Sequence, residues 1–474
     1  MRKGLLSAIA VLLMLTVVLW GSKLYTEVNR KLTETPQIIK KQRVTPEDYE
    51  GPDFDYLKYY GMGTFETTLP VLFIDTKDNR VSKENKVWAS IAVLNNKHGE
   101  AKSIEMVPDY VAPITIKYRG ASSYSNFDKS QYRIEFYKKE GGSKPEEYAF
   151  LGMGLNSEWV LHGPFLDKTL LRNRLIYNVS RDIFEWAPDN RFVELFVDGK
   201  YQGVYLAVEP VTNGASRLRL SEFGLLSGET AYLISRDRIG TEEIPLDVYG
   251  KVAGKTNNDL FVKYPSSRKI TKEQLQWIEK DISKFEKVLY SNGFDDPVNG
   301  YAKYIDVDSF IDYVVLNEAV MNNDAGNLSS YFYKELGGKL KVAVWDFNNS
   351  YDNYQWFEQD FTEIFMKKSA WFNRLLQDRA FVDKVVKRYE ELRRGVLSTE
   401  LLHQKIDDYQ RELGGAIERN FAIWGYSFDR NLLTGEGRDL KNYESAILQL
   451  KQAITRRLDY LDHHISDLYE DCVN

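Results

Sequence analysis

The segment RFVELFVDGKYQGVYLAVEPV, residues 191–211, constrains the fold most. Two β-rich runs flank Asp198-Gly199, a pair suited to a type I′ turn in which both central residues take positive φ. Such a hairpin must bury a sheet face, and its surroundings supply partners. LPVLFIDT (69–76), KVWASIAVL (86–94), APITIKYRG (112–120) and QYRIEFYKK (131–139) read as further strands, the second and third alternating as half-buried strands do. Between the last two lies a loop of Gly, Ala, Ser and Asn, with Arg119, Lys129 and Arg133 around it. Small residues let a backbone come close to a ligand, and the cations suit an anion such as phosphate. A polar hairpin loop with solvated cations fits the same composition.

Helical signals follow. DKTLLRNRLIYNVSRDI (167–183) carries Leu171, Leu175, Val179 and Ile183 near helical spacing, with Asp167 as N-cap. Beyond about residue 356 the chain reads as mostly helical. The N-terminus differs from all of this. After Arg2 and Lys3 an uncharged, mostly apolar run extends from Gly4 to Ser22, about long enough to cross a bilayer. Residues 1–22 are expected to be a transmembrane anchor or signal, with the anchor favoured because Leu19-Trp20-Gly21-Ser22 makes a poor A-x-A-like cleavage site. Residues 23–64, with Pro36, Pro46 and Pro52 among mixed charges, read as a stalk.

Composition removes several function classes. A net charge of −6 gives no reason to expect a nucleic-acid partner. Cys472 is the only cysteine, so neither an internal disulfide nor a cysteine-based metal site is possible. The five histidines show no metal-ligand spacing. G-x-S-x-G, H-E-x-x-H and Walker A motifs are absent, so hydrolase, zincin and P-loop readings lack support.

The order of motifs resembles the spore coat protein H (CotH) kinase family. The resemblance rests on R-G-x-S-S-x-x-x-F-x-K (119–129), W-V-L (159–161), D-x-T-L-L-R-N (167–173), the hairpin motif ending at Glu209, and W-D-F (345–347). It covers the chain from about Leu69 to the C-terminal helix at 450–465. The resemblance implies an α+β, bilobal atypical protein-kinase-like fold behind the transmembrane helix. Residues 65–474 would form the kinase-like domain, divided into a β-rich lobe (65–265) and a helix-rich lobe (266–474). The implied activity is transfer of the γ-phosphoryl group of ATP, with Mg²⁺, to a hydroxyl acceptor, protein Ser or Thr. A non-catalytic envelope or surface structural protein on the same fold is the alternative, and an envelope polysaccharide is a further acceptor. The expected location is at the membrane through the N-terminal helix, with the domain outside the cytoplasm, in a bacterial periplasm or at the cell surface.

The segment 306–353 carries the chemistry. A helix, DVDSFIDYVVLNEAVMNND, runs into an Asn- and Asp-rich turn; LSSYFYKEL and KLKVAVWDF then pair about Gly337-Gly338. Pairing about that turn sets Asp346 opposite Ser329 and brings Asp324 and Asn327 to the same hairpin end. Hard oxygen ligands at one place suit Mg²⁺ carrying nucleotide phosphates. Read from residues alone, an ordinary turn rich in Asn and Asp is equally open. By resemblance, Asp324 is the catalytic-loop aspartate, Asn327 an auxiliary metal ligand and Asp346 the chief metal ligand. Ser122 and Ser123 would cover the phosphates, Lys129 would pair with them, Arg119 would shape the loop, and Glu209 would face the nucleotide or anchor that loop. One departure stands out: relatives usually read W-D-x-D, whereas this chain has W-D-F-N, with Asn348 in place of the second acid and Asp352 as a possible substitute.

Overall fold

The computed structural model describes residues 65–96, 101–104, 107–221, 228–238, 243–256, 258–435 and 437–473. Fourteen strands occur among the described residues: β1 (Glu66–Thr67), β2 (Val71–Asp75), β3 (Val87–Leu94), β4 (Lys102–Ser103), β5 (Tyr110–Arg119), β6 (Gln131–Phe136), β7 (Glu158–His162), β8 (Asn190–Val197), β9 (Lys200–Val208), β10 (Tyr232–Asp237), β11 (Ile244–Pro245), β12 (Asp259–Tyr264), β13 (Ser330–Lys334) and β14 (Lys341–Ala343).

Seven of these strands close a barrel in the order β2-β3-β5-β6-β7-β9-β8. Closure comes from β2 lying parallel to β8, with Val71 opposite Glu194. All other barrel neighbours are antiparallel. Alternate residues point inward, as a small barrel requires: Leu72 and Ile74, Ile114 and Ile116, and Val193 and Leu195 fill the interior around Trp159. The β8–β9 hairpin turns at Asp198 (φ 48°) and Gly199 (φ 74°), the two positive φ values of the expected turn. The Asp198 carboxylate fixes it by accepting from the Thr76 backbone N–H and hydroxyl, each at 2.8 Å.

A separate five-stranded sheet has the order β11-β12-β10-β13-β14. Before the β13–β14 hairpin, Asp306 caps a helix at Val307–Ala319 by accepting from the Ser309 N–H. This helix is apolar on nearly every side and is buried accordingly. The helical part follows with Arg379–Arg393, Thr399–Leu413, Ala416–Trp424 and Tyr443–His464. Asp378, Ser398 and Asn442 cap three of these by accepting first-turn N–H groups. The helical part grips the barrel through Arg419, whose guanidinium makes two 2.8 Å bonds to the fully buried Glu194 carboxylate.

The expected fold class is corrected. The chain is α+β, but its β part is a closed seven-stranded barrel plus a second sheet, not one β-rich lobe of a bilobal kinase. That second sheet joins β10–β12 to β13 and β14, so it draws strands from both sides of residue 265. The pairings responsible, β2 with β8 and β10 with β13, join segments about 100 residues apart, which local periodicity does not register. No helix among the described residues is long and apolar enough to cross a membrane. The expected transmembrane segment Gly4–Ser22 lies outside the described residues.

The helix expected at 167–183 begins five residues late, and we call it α1 (Arg172–Ile183). Asp167 still serves its start: the carboxylate accepts from the Arg172 N–H at 2.9 Å, the Thr169 N–H at 3.1 Å and the Arg172 guanidinium at 2.6 Å. The intervening Leu170 has φ 66°, which no helix continues through.

Candidate active site

The helix at 307–319 delivers the chain to a tight turn. Asn322 accepts from the Asp324 N–H at 3.3 Å and donates to Asn317 at 2.8 Å, so the turn is built on its own amides. The Asp324 carboxylate accepts from the Asn349 side chain at 3.1 Å. Burial raises its pKa and Asp237 adds to this, while the Asn349 bond and Arg238 oppose.

Asp346 follows β14 with φ 62°, a left-handed conformation for a residue with a side chain. The Ser329 hydroxyl lies 3.5 Å from its carboxylate. Ladder pairing of Tyr331 with Ala343 projects Ser329 onto Trp345, one residue from the expected Asp346. Burial pushes the Asp346 carboxyl up to about 6; Arg119 pulls it down, and Asp324 and Asp237 push it further up. Asp237, at the end of β10, is therefore a third acid of this group, and sequence reading missed it. The pairing of β10 with β13, Arg236 opposite Ser330, brings it near the turns that hold Asp324 and Asp346, and β10 carries no recognisable motif.

A cleft of about 1120 Å³ lies between barrel and five-stranded sheet; Trp345, the residue before Asp346, lines it, whereas Asp237, Asp324 and Asp346 do not. The barrel wall presents Arg119, Arg133, Glu158 and Val160; the sheet wall presents Tyr331 and Trp345. The Arg119 guanidinium lies over the Trp345 ring, 5.4 Å from its centroid, and donates to Gln131 at 3.2 Å. Arg133 pairs with Glu158; burial opposes that carboxylate's charge, but Arg133 outweighs it and its pKa falls. Both walls mix charges, with Glu84 and Glu158 beside Arg119 and Arg133 on the barrel side and Glu243 beside Lys263 on the other.

The remaining expected site residues sit elsewhere. Lys129 is 1% exposed, and its ammonium donates to the Val204 carbonyl at 2.7 Å and the Asn420 side chain at 2.8 Å. Ser122 and Ser123 begin a five-residue helix beside Gly120 and, like Lys129 and Glu209, are not part of the cleft lining. The Glu209 carboxylate accepts from the Asp189 N–H at 3.0 Å and lies 3.9 Å from Arg217. Asn327 turns to the 368–370 segment: its carbonyl oxygen accepts from the Ala370 N–H at 3.2 Å, and its NH₂ faces the Lys368 carbonyl and Ser369 hydroxyl at 3.4 Å. Asp352 is held by Arg438 at 2.9 Å and by the Gln359 N–H at 2.7 Å. The Asn348 NH₂ donates to Asn349 at 2.9 Å.

Among the described residues no three His, Cys, Asp or Glu side chains are gathered closely enough to hold a metal ion by themselves. The donors at Asp346, Asp324 and Asp237 are all oxygen, and the half-buried Asp346 carboxyl has no ion-pair partner among the described residues. Oxygen donors of this kind would suit a hard divalent cation only with phosphate oxygens and water supplying most of its shell.

Comparison with known proteins agrees with the motif order. The inner spore coat protein H of Bacillus subtilis (strain 168) is 24% identical over 287 residues, covering 60% of this chain and 69% of that protein. The family model described as CotH kinase protein matches residues 116–461, which include the barrel's cationic strands, the Asp324 turn and Asp346. A match over well more than half of the sequence settles the family, and the chain belongs to the CotH kinase proteins.

Proposed function

We propose that the protein transfers the γ-phosphoryl group of ATP to a hydroxyl acceptor, a protein Ser or Thr, at a cell or spore surface. The observation that carries this reading is the Arg119 guanidinium on the barrel wall of the cleft, which acts on the Asp346 carboxyl next to Trp345, with Asp324 and Asp237 near enough to raise that carboxyl's pKa. Mg-ATP supplies the phosphoryl group and much of the charge neutralisation when bound. Asp346 is the metal ligand, aided by Asp237. Arg119 and Arg133 receive phosphate oxygens, a task for which guanidinium forks are suited. Apolar Val160, Leu233 and Val262 in the same cleft accept the flat base. Asp324 orients the acceptor hydroxyl and takes its proton; its raised pKa moves it towards the range useful for that work. The surface location draws on the spore-coat name of the Bacillus relative.

A second reading, a surface structural protein without catalysis, is favoured by one feature. Asn348 replaces an acid, and the nearby Asp352 carboxylate is occupied by Arg438. Incubating the full chain with Mg-ATP and mapping phosphorylated residues by mass spectrometry separates the two. Phosphate on Ser or Thr, lost in Asp324→Asn, supports transfer; no transfer and no Mg-ATP binding leave the structural reading.

A further inference from the structure

The motif D-x-T-L-L-R-N at 167–173 plays no part in the reading above, yet its helix reaches the Asp346 turn. Three α1 side chains bond to the backbone of that turn. The Asp346 N–H donates to the Tyr177 hydroxyl at 3.1 Å, and the Phe347 N–H donates to the Asn173 carbonyl oxygen at 2.8 Å. Arg172 donates through Nε to the Ser350 carbonyl at 2.9 Å. All three side chains are nearly sealed from solvent, at 2%, 6% and 2% exposure for Tyr177, Asn173 and Arg172. The Tyr177 ring also packs against Trp345 and Phe347, with centroids 5.7 and 5.6 Å away, on both sides of Asp346.

Asn173 extends the contact to the opposite wall. Its NH₂ lies 3.0 Å from His162 Nε2, and His162 Nδ1 lies 3.2 Å from the Gln131 carbonyl oxygen that also receives Arg119. Burial, reinforced by Arg119, holds the His162 pKa down at about 3, so the ring is neutral and passes one hydrogen bond along in each direction. An unbroken hydrogen-bonded chain therefore runs from the part-buried Arg119 guanidinium to the backbone N–H next to Asp346.

We propose that Tyr177 and Asn173 are positioning residues that hold the Asp346 turn in its left-handed geometry and, through His162 and Gln131, fix Arg119 relative to it. A left-handed aspartate persists only where its surroundings over-determine it. The two N–H bonds and the flanking ring supply that restraint. The consequence for metal-nucleotide binding rests on the function proposed above; the restraint itself does not.

The test compares the full-length protein with Tyr177→Phe, which loses only the hydroxyl, and with Asn173→Ala. Asn178→Ala is the control, because Asn178 lies on the same helix but bonds to Tyr409 at 2.7 Å, away from the turn. Hydrogen exchange of peptides spanning 344–351 is measured without nucleotide, and Mg-ATP affinity by calorimetry. Loss of one bond of this kind should speed exchange at the turn by about fivefold or more in the first two variants and not in the control. Mg-ATP affinity should fall by about tenfold in the same two. Unchanged exchange in Tyr177→Phe, or equal acceleration in Asn178→Ala, overturns the proposal. Wild-type protein that binds no Mg-ATP overturns the kinase reading alone, since the exchange comparison still decides the restraint. If Asn173→Ala does not fold, Tyr177→Phe carries the test.

Discussion

Arg119, on the barrel wall of the cleft, acts on the carboxyl of Asp346, the residue after Trp345 in the opposite wall. Burial drives the Asp346 carboxyl up to about 6, and the Arg119 guanidinium is the strongest influence holding it down. Arg119 in turn rests on Trp345, the residue before Asp346. A carboxylate kept partly desolvated and without an ion-pair partner is costly to the fold and useful to a cation. The first prediction follows from that conflict.

The Asp346 pKa in the fold, about 6, lies above the ordinary 3.8. A raised value means the folded state holds the proton more tightly than the unfolded one. The stability gained from that proton is complete below about pH 4 and is lost as pH rises through about 6. Asp346→Asn removes the penalty, and asparagine tolerates the left-handed φ. The variant should therefore be more stable than wild type at pH 8, by no more than about 3 kcal/mol and less where water reaches the carboxylate. The gain should vanish near pH 4. Denaturant unfolding at pH 4, 6 and 8 checks this; a gain that does not change with pH contradicts it.

Metal competes with that proton. Mg-ATP affinity should fall as pH drops below about 6, tracking protonation of Asp346, and should be flat above pH 7. Calorimetry across pH 5–8 measures this, and constant affinity over that range removes Asp346 from the metal site.

Two cations of the same motif should behave differently. Lys129 is sealed between the Val204 carbonyl and Asn420, so Lys129→Ala should cost the fold about 2–4 kcal/mol. What remains folded should bind Mg-ATP normally. Arg119→Ala should do the reverse: little change in Tm and about tenfold or greater loss of affinity. Thermal melts and calorimetry on the two variants decide the matter, and the opposite pattern would return the phosphates to Lys129.

Asp324→Asn separates chemistry from binding. The amide keeps the size and the Asn349 contact but cannot take a proton. Phosphoryl transfer should fall by about 10²–10⁴-fold while Mg-ATP affinity changes little. Equal losses in both would make Asp324 a metal ligand instead.

Local chemistry was legible in the sequence and long-range pairing was not. Asp198-Gly199 announced its turn, and the Asp324–Asp346 helix-turn-hairpin was readable because Gly337-Gly338 sets it, to within one residue of register. The closed barrel was not readable, because β2 and β8 pair across more than 100 residues of chain. Asp237 was missed for the same reason. Lys129 shows the limit of reading charge from sequence: a cation in a Ser-rich loop resembles a phosphate ligand, but its burial depends on Asn420, 291 residues away. Arg133, four residues further on and within β6, lines the cleft instead.

Calorimetric titration of the full-length protein with ATP, with and without Mg²⁺, tests the central claim most directly when run beside Asp346→Ala. The account predicts Mg²⁺-dependent binding of one nucleotide by wild type, and none by an Asp346→Ala variant that melts as cooperatively as wild type. Absence of binding by wild type, or equal binding by the variant, would contradict it.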